Sequence, residues 1–352
     1  MTDDGPLLRG KNMVKSDYMK IAIFETKPWE KKFFNKALKD FDLIFIKEPV
    51  SSENCQLADG CEVISTFITS KLTAEIINKL PKLKIIATRS TGFDHIDIKA
   101  CAAKNVAVCN VPFYGENTVA EHAFALILTL SRNIHKSYLR TTRGDYTIEG
   151  LKGFDLKGKT LGVIGAGHIG LHLIKMARGF DMKALAYDMN RNDFQADVLG
   201  FKYVSLEELL KNSDIISLHV PENPATHHLI NKNNIKLIKK GAILINTARG
   251  GVIETEALIE ALDKKILAGA GLDVLEGENL VMEEKQLAFD KKTAEEMLSL
   301  AKDHILFARE NVIFTPHIAF YSEEAIRRIM EVTAENIKSF IEKNIKNIVK
   351  VN

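Results

Sequence analysis

The stretch TLGVIGAGHIGLHLIKMARGFDMKALAYD, residues 160–188, holds the whole pattern of a nucleotide-binding βαβ unit. A β-branched run leads into Gly165-x-Gly167-x-x-Gly170, an amphipathic segment follows, and a second apolar run ends on an acid, Asp188. Glycines at this spacing are common alone; between a strand and a helix they carry chemistry. Gly165 permits the tight turn, Gly167 lets a pyrophosphate approach the backbone, and Gly170 lets the helix pack close to the strand. The helix start at His168 and Ile169 offers N–H groups and a positive dipole end to phosphates. Asp188 is placed to accept from ribose hydroxyls and to repel a 2′-phosphate, which predicts NAD as the cofactor. Arg191 nearby is the one feature that keeps NADP open.

Working outward, the rest of the chain supplies two α/β domains. At 352 residues it exceeds what one core supports. From Met19, MKIAIF, FDLIFIKEP, CEVISTF, LKIIATRS and VAVCNVP alternate with helical stretches, the pattern of a parallel sheet. A second alternation runs from KTLGVIG through KALAYD, IISLHV, GAILINTA and AGAGLDV to NVIFTPH. Between them, residues 118–139 read as one long helix bridging the domains, with Val119, Ala123, Leu126, Ile127 and Leu130 on one face. The expected division is a substrate domain over 19–117 plus 319–352 and a nucleotide domain over 118–318. The final helical stretch then returns to the first domain. Residues 1–18 are polar and aperiodic and are left outside the fold as a disordered extension.

Composition excludes several function classes. Lys+Arg 48 against Asp+Glu 46 gives a net charge of +2, with no basic cluster dense enough for nucleic acid. No apolar run is long enough to span a bilayer, and the N-terminus has no apolar signal region, so a cytoplasmic protein is expected. Cys55, Cys61, Cys101 and Cys109 form no Cys-x-x-Cys pair and read as reduced thiols. No metal is expected: the neighbouring His227 and His228 have no convergent Cys or carboxylate in sequence. With His95, His122 and His219 they are read as structural or solvated.

Four further stretches, LKGFDLKGKTLGVIGAGHIG, NTARGGVIETEALIEAL, GAGLDVLEGE and NVIFTPHIAFY, carry a resemblance. From Met19 onward the chain resembles the D-isomer-specific 2-hydroxyacid dehydrogenases. TRSTGFDHIDI, VPFYGENTVAEHA and above all HIAFYS are most similar to the D-lactate dehydrogenase branch. The resemblance implies a Rossmann NAD-binding domain and a flavodoxin-like substrate domain flanking a cleft, hinges near Asn117 and Ala319, and a homodimer. It implies three catalytic groups: Arg249 in TARGG, Glu278 in DVLEGE and His317 in TPH. Cofactor contacts carried by the same motifs are His168, Ile169, Asp188, Val220, Pro221, Thr226, the turn Thr247, Ala248 and Arg249, and Asp273. Tyr114, Phe320 and Tyr321 are the aromatics that the D-lactate branch places near the substrate methyl group.

The residue types suit that chemistry. Hydride exchange at C2 of a 2-hydroxy acid needs a proton partner for the C2 oxygen, a fixed cation for the carboxylate and a dry pocket. His317 fits the first, with Glu278 stabilising its imidazolium. Arg249 fits the second, since its planar fork can grip a carboxylate twice. Backbone N–H groups around Thr91 and Gly92 can take the carboxylate's other side. Large rings leave room for little beyond a methyl, which favours pyruvate and D-lactate.

Two departures and two rivals stay open. The segment between Glu278 and His317 is longer than the family's usual connection, and Glu276 stands two residues before Glu278 as a rival for the acid. Glu278 is preferred because its five-residue distance from Asp273 fits the family's spacing. The rival functions are a dehydrogenase for hydroxypyruvate, glyoxylate or 2-oxoisocaproate, and an NAD-sensing corepressor-like protein.

Overall fold

The computed structural model describes residues 19–277 and 302–350. They divide into two compact units: one runs to Tyr114 and resumes at Ile326, and the other is Gly115–Ala325. Both are α/β layers built on parallel sheets.

In the first unit, β1 (Lys20–Ile23), β2 (Asp42–Phe45), β3 (Val63–Thr66), β4 (Ile85–Thr88) and β5 (Ala107–Cys109) stand in the order β2-β1-β3-β4-β5, every neighbouring pair parallel. That is the flavodoxin-like winding. Strands β3 and β4 are buried at every residue, as a sheet covered on both faces requires. Helices α1 (Pro28–Ala37), α2 (Ala74–Lys79) and α3 (Ile98–Ala103) come from the connections. Met330, Ala334 and Ile337 of the last helix close one face, in a cluster with Ile21, Ile23, Phe34 and Ile85. Cys55, Cys61, Cys101 and Cys109 are all buried and unbridged. Burial pushes the thiols of Cys61, Cys101 and Cys109 up to about 11, so they stay protonated and unreactive at neutral pH.

The second unit holds β6 (Thr160–Ile164), β7 (Lys183–Tyr187), β8 (Lys202–Tyr203), β9 (Ile215–Leu218), β10 (Ala242–Asn246), β11 (Leu267–Leu272) and β12 (Val312–Phe314). Their order is β12-β11-β10-β9-β6-β7-β8, all parallel. The order reverses beside β6, and this is the dinucleotide winding with one strand added at the far edge. Helix α6 (His168–Gly179) follows β6 directly.

The long helix expected over 118–139 is two helices. α4 (Glu116–Ser131) ends at Arg132, Asn133 turns left-handed at φ 51, and α5 (Ile134–Thr141) starts afresh with no buried residue. Asparagine tolerates that conformation better than most residues, so the apolar periodicity ran across a break it could not register. The α4 face belongs to the second unit's own core: Ala123, Leu126, Ile127 and Leu130 cluster with Leu161, Val163 and Ile243. Glycines in β11 admit it, since a Cβ on Gly271 would sit 3.0 Å from Leu126 Cβ.

Candidate active site

In an open parallel sheet the connections leaving the strands' carboxyl ends face one way, and ligands bind there. Every functional residue expected in the second unit and present among the described residues leaves such an end: the glycine turn after β6, Asp188 after β7, Val220 and Pro221 after β9, Thr247–Arg249 after β10, Asp273 after β11 and His317 after β12.

The glycine turn is built as its sequence demands. Gly165 has φ +96, and a Cβ there would lie 2.6 Å from the His219 carbonyl oxygen and 2.9 Å from Val220 Cγ1. A Cβ on Gly170 would lie 2.1 Å from the Gly165 carbonyl oxygen, so helix and turn touch backbone to backbone. Around Gly167 there is open space to 4 Å, and α6 begins there without a side-chain cap. A bare helix start beside open space fits a pyrophosphate. Asp188 braces the turn from the side: Oδ2 accepts from the Ala166 N–H at 2.8 Å and Oδ1 from the Asn190 N–H at 2.7 Å. Two buried polar atoms at the neighbouring strand ends lack a partner among the described residues, His219 Nδ1 after β9 and Thr247 Oγ1 after β10. Buried polar groups left so are costly unless a ligand or water completes them. The loop therefore fits NAD, which when bound supplies or accepts the hydride at its nicotinamide ring.

Sequence reasoning missed how the loop that bears His317 is held. Asp273 is fully buried, and its carboxylate accepts from the Ile318 N–H at 2.9 Å, the Ala319 N–H at 2.8 Å and the Thr315 hydroxyl. Its backbone carbonyl accepts from the His317 N–H at 2.9 Å. His122 on α4 completes the cage, Nε2 lying 3.0 Å from Thr315 Oγ1 and 3.5 Å from Asp273 Oδ1. Inside it His317 sits at φ 52, a strained backbone for a side chain of this size. Such strain persists only where surrounding bonds impose it, and Asp273 supplies them. The Phe320 ring stands edge-on to His317 at 6.3 Å, and Tyr321 edge-on to Phe320 at 5.7 Å.

Asn246 does the same for Arg249. Buried at the end of β10, it accepts from the Ala248 N–H at 3.0 Å and donates to the Arg249 carbonyl at 2.9 Å. An asparagine at a strand end is the available signal, since its amide closes turns of this kind. Next in the chain, Gly250 packs on the β11 exit: a Cβ there would meet the Leu275 carbonyl at 2.0 Å. Thr226 is taken up by its own turn, donating to the Pro221 carbonyl and accepting from the Asn223 N–H.

His219, read as structural or solvated, is half-buried beside the glycine turn with its Nδ1 atom shielded from solvent. Its Nε2 lies 2.9 Å from Ser217 Oγ, and burial pushes its pKa down to about 3, so it is neutral at working pH. Glu278 lies outside the described residues, as does the segment 279–301. Its rival Glu276 is committed elsewhere, to His228 Nε2 at 2.7 Å and Thr255 Oγ1 at 2.9 Å.

In the first unit, Thr91 and Gly92 follow β4. The Thr91 hydroxyl donates to the Val111 carbonyl and the Ser90 hydroxyl to the Gly92 carbonyl, which pins the turn. Arg89, buried just before it, donates to the Phe24 carbonyl at 2.7 Å and lies 3.5 Å from Glu30. Tyr114 lies beyond β5, its carbonyl accepting from Arg328.

Residues 124–319 match the family model described as D-isomer specific 2-hydroxyacid dehydrogenase, NAD binding domain. The chain belongs to that family. The dehydrogenase is 38% identical to the D-lactate dehydrogenase of Aquifex aeolicus solved with NAD and lactic acid, covering 94% of this chain and 99% of that one with a TM-score of 0.86. It is 35% identical to the D-lactate dehydrogenase of Escherichia coli (strain K12), over 91% of this chain and 96% of the relative. It is also 35% identical to the glyoxylate reductase of Thermococcus litoralis, over 92% and 94%. It is an NAD-dependent D-2-hydroxyacid dehydrogenase of the D-lactate dehydrogenase branch, with two parallel-sheet domains. Among the described residues no helix is long and apolar enough to cross a membrane.

Proposed function

We propose that the enzyme is a D-lactate dehydrogenase, interconverting pyruvate and D-lactate with NADH and NAD. The observation that carries the reading is the Asp273 cage, which spends a buried carboxylate on holding His317 in a strained, fixed position. A histidine fixed at that expense is suited to proton transfer. In pyruvate reduction, protonated His317 gives its proton to the C2 oxygen as the hydride reaches C2; in D-lactate oxidation, neutral His317 takes the hydroxyl proton. Glu278 stabilises the imidazolium, a role supported by the commitment of Glu276 to His228 and Thr255.

Arg249 grips the substrate carboxylate with its planar fork, and the backbone at Thr91 and Gly92 takes part in the same task. Phe320 and Tyr321, with Tyr114, limit the side chain at C2 to about a methyl group, which supports pyruvate over bulky ketoacids. Val220, Pro221, Thr226, Thr247, Ala248 and Asp273 line the cofactor's path. A glyoxylate reductase among the relatives at the same identity as the E. coli lactate enzyme favours glyoxylate as the second substrate reading. Buried, unbridged thiols support a cytoplasmic location, and the family's habit supports a homodimer.

Variants test the assignments. Arg249→Lys is expected to lower kcat/KM for pyruvate about 100-fold or more, and His317→Ala about 1,000-fold, the latter at nearly unchanged NADH affinity. Glu278→Gln is expected to lower the apparent pKa in the kcat/KM profile, because the imidazolium loses its counter-charge. A wild-type enzyme without turnover on any small 2-ketoacid, or an unshifted profile for Glu278→Gln, contradicts the reading.

A further inference from the structure

We propose that His227, His228 and Glu276 form a site for a divalent transition-metal ion, Zn²⁺ in the first instance. A nitrogen of each ring and a carboxylate oxygen lie within 4.8 Å of one another. Two imidazoles and a carboxylate are the donor set with which Zn²⁺ keeps a fourth position open to water. The sequence hides the site, because the fold brings Glu276 to His228 from 48 residues away.

The surroundings orient His228 and Glu276. In the metal-free structure His227 Nδ1 lies 3.1 Å from Glu222 Oε1. Glu276 Oε2 accepts from Thr255 Oγ1, which leaves Oε1 facing His228. His228 is held at φ 50, with its N–H on the Gly251 carbonyl at 2.8 Å, and its ring stacks on His227 with centroids 4.0 Å apart. Without metal, His228 Nε2 and Glu276 Oε1 are hydrogen-bonded across 2.7 Å. A Zn²⁺ ion bonded to both at about 2.0–2.2 Å takes that proton's place once the atoms part by about 0.7 Å. The half-exposed His227 ring completes the set by turning out of its stack on His228 and giving up the Glu222 contact.

The site adjoins the Arg249 turn, since Glu276 follows Leu275, the residue packed on Gly250. It is independent of which ketoacid is turned over. Calorimetric titration of the tag-free enzyme with ZnCl₂ is expected to show one ion per chain. His227→Ala and Glu276→Gln are each expected to weaken binding at least tenfold, while His172→Ala, an exposed histidine on α6, binds as the wild type does. His227→Ala removes a half-exposed ring and is compatible with folding. No uptake by the wild type, or wild-type affinity in either His227→Ala or Glu276→Gln, overturns the proposal.

Discussion

Asp188 braces the glycine turn, and the proposed cofactor role asks a second task of the same carboxylate. Both carboxylate oxygens already hold backbone N–H groups, at Ala166 and Asn190, and each oxygen has a second lone pair for a ribose hydroxyl. Its charge also opposes a 2′-phosphate. Asp188→Ser is therefore expected to raise the NADPH:NADH ratio of kcat/KM at least tenfold, whatever the turn loses in rigidity, because the ratio cancels losses common to both cofactors. An unchanged ratio would remove Asp188 from cofactor choice. Asp188 and the three glycines were readable in the sequence because each meets a local steric or electrostatic demand. Asp273 and Asn246 were not readable as anchors. Their partners are backbone groups brought by neighbouring strands, and nothing in a side chain's identity announces which N–H it will meet.

At the scale of elements, the alternation of apolar runs and helical segments located the parallel strands, because buried strands need little more than a short β-branched stretch. The break at Asn133 lay beyond that reach: periodicity reports which face is apolar, and a single left-handed residue leaves the count almost intact. His219 was hidden for a related reason. It leaves the buried strand β9, whose neighbours β6 and β10 only the strand order reveals. With its pKa near 3 in the fold and about 6.5 when unfolded, the unfolded chain binds a proton that the folded chain refuses. Stability from this residue is thus present above pH 6.5 and is lost as pH falls toward 3. Melting temperature is expected to fall more steeply from pH 7 to pH 4.5 in the wild type than in His219→Gln. Equal slopes would place the histidine in water.

For the whole molecule, the two windings came out as the sequence implied, flavodoxin-like and dinucleotide-binding. Strand order itself was never visible in the chain and entered only through the resemblance. The nucleotide turn, the Arg249 turn and the His317 loop lie along one sheet edge because every strand of the sheet is parallel and so ends on the same side. Substrate choice belongs to this scale as well, since the proposed reading rests it on rings that no local rule assigns to a ligand. The most direct measurement is kcat/KM for pyruvate, glyoxylate, hydroxypyruvate, 2-oxoisocaproate and phenylpyruvate, each with NADH and then NADPH. Pyruvate with NADH is expected to lead the panel, with the branched and aromatic acids at least tenfold lower; a preference for the bulky acids or for NADPH would contradict an NAD-dependent D-lactate dehydrogenase.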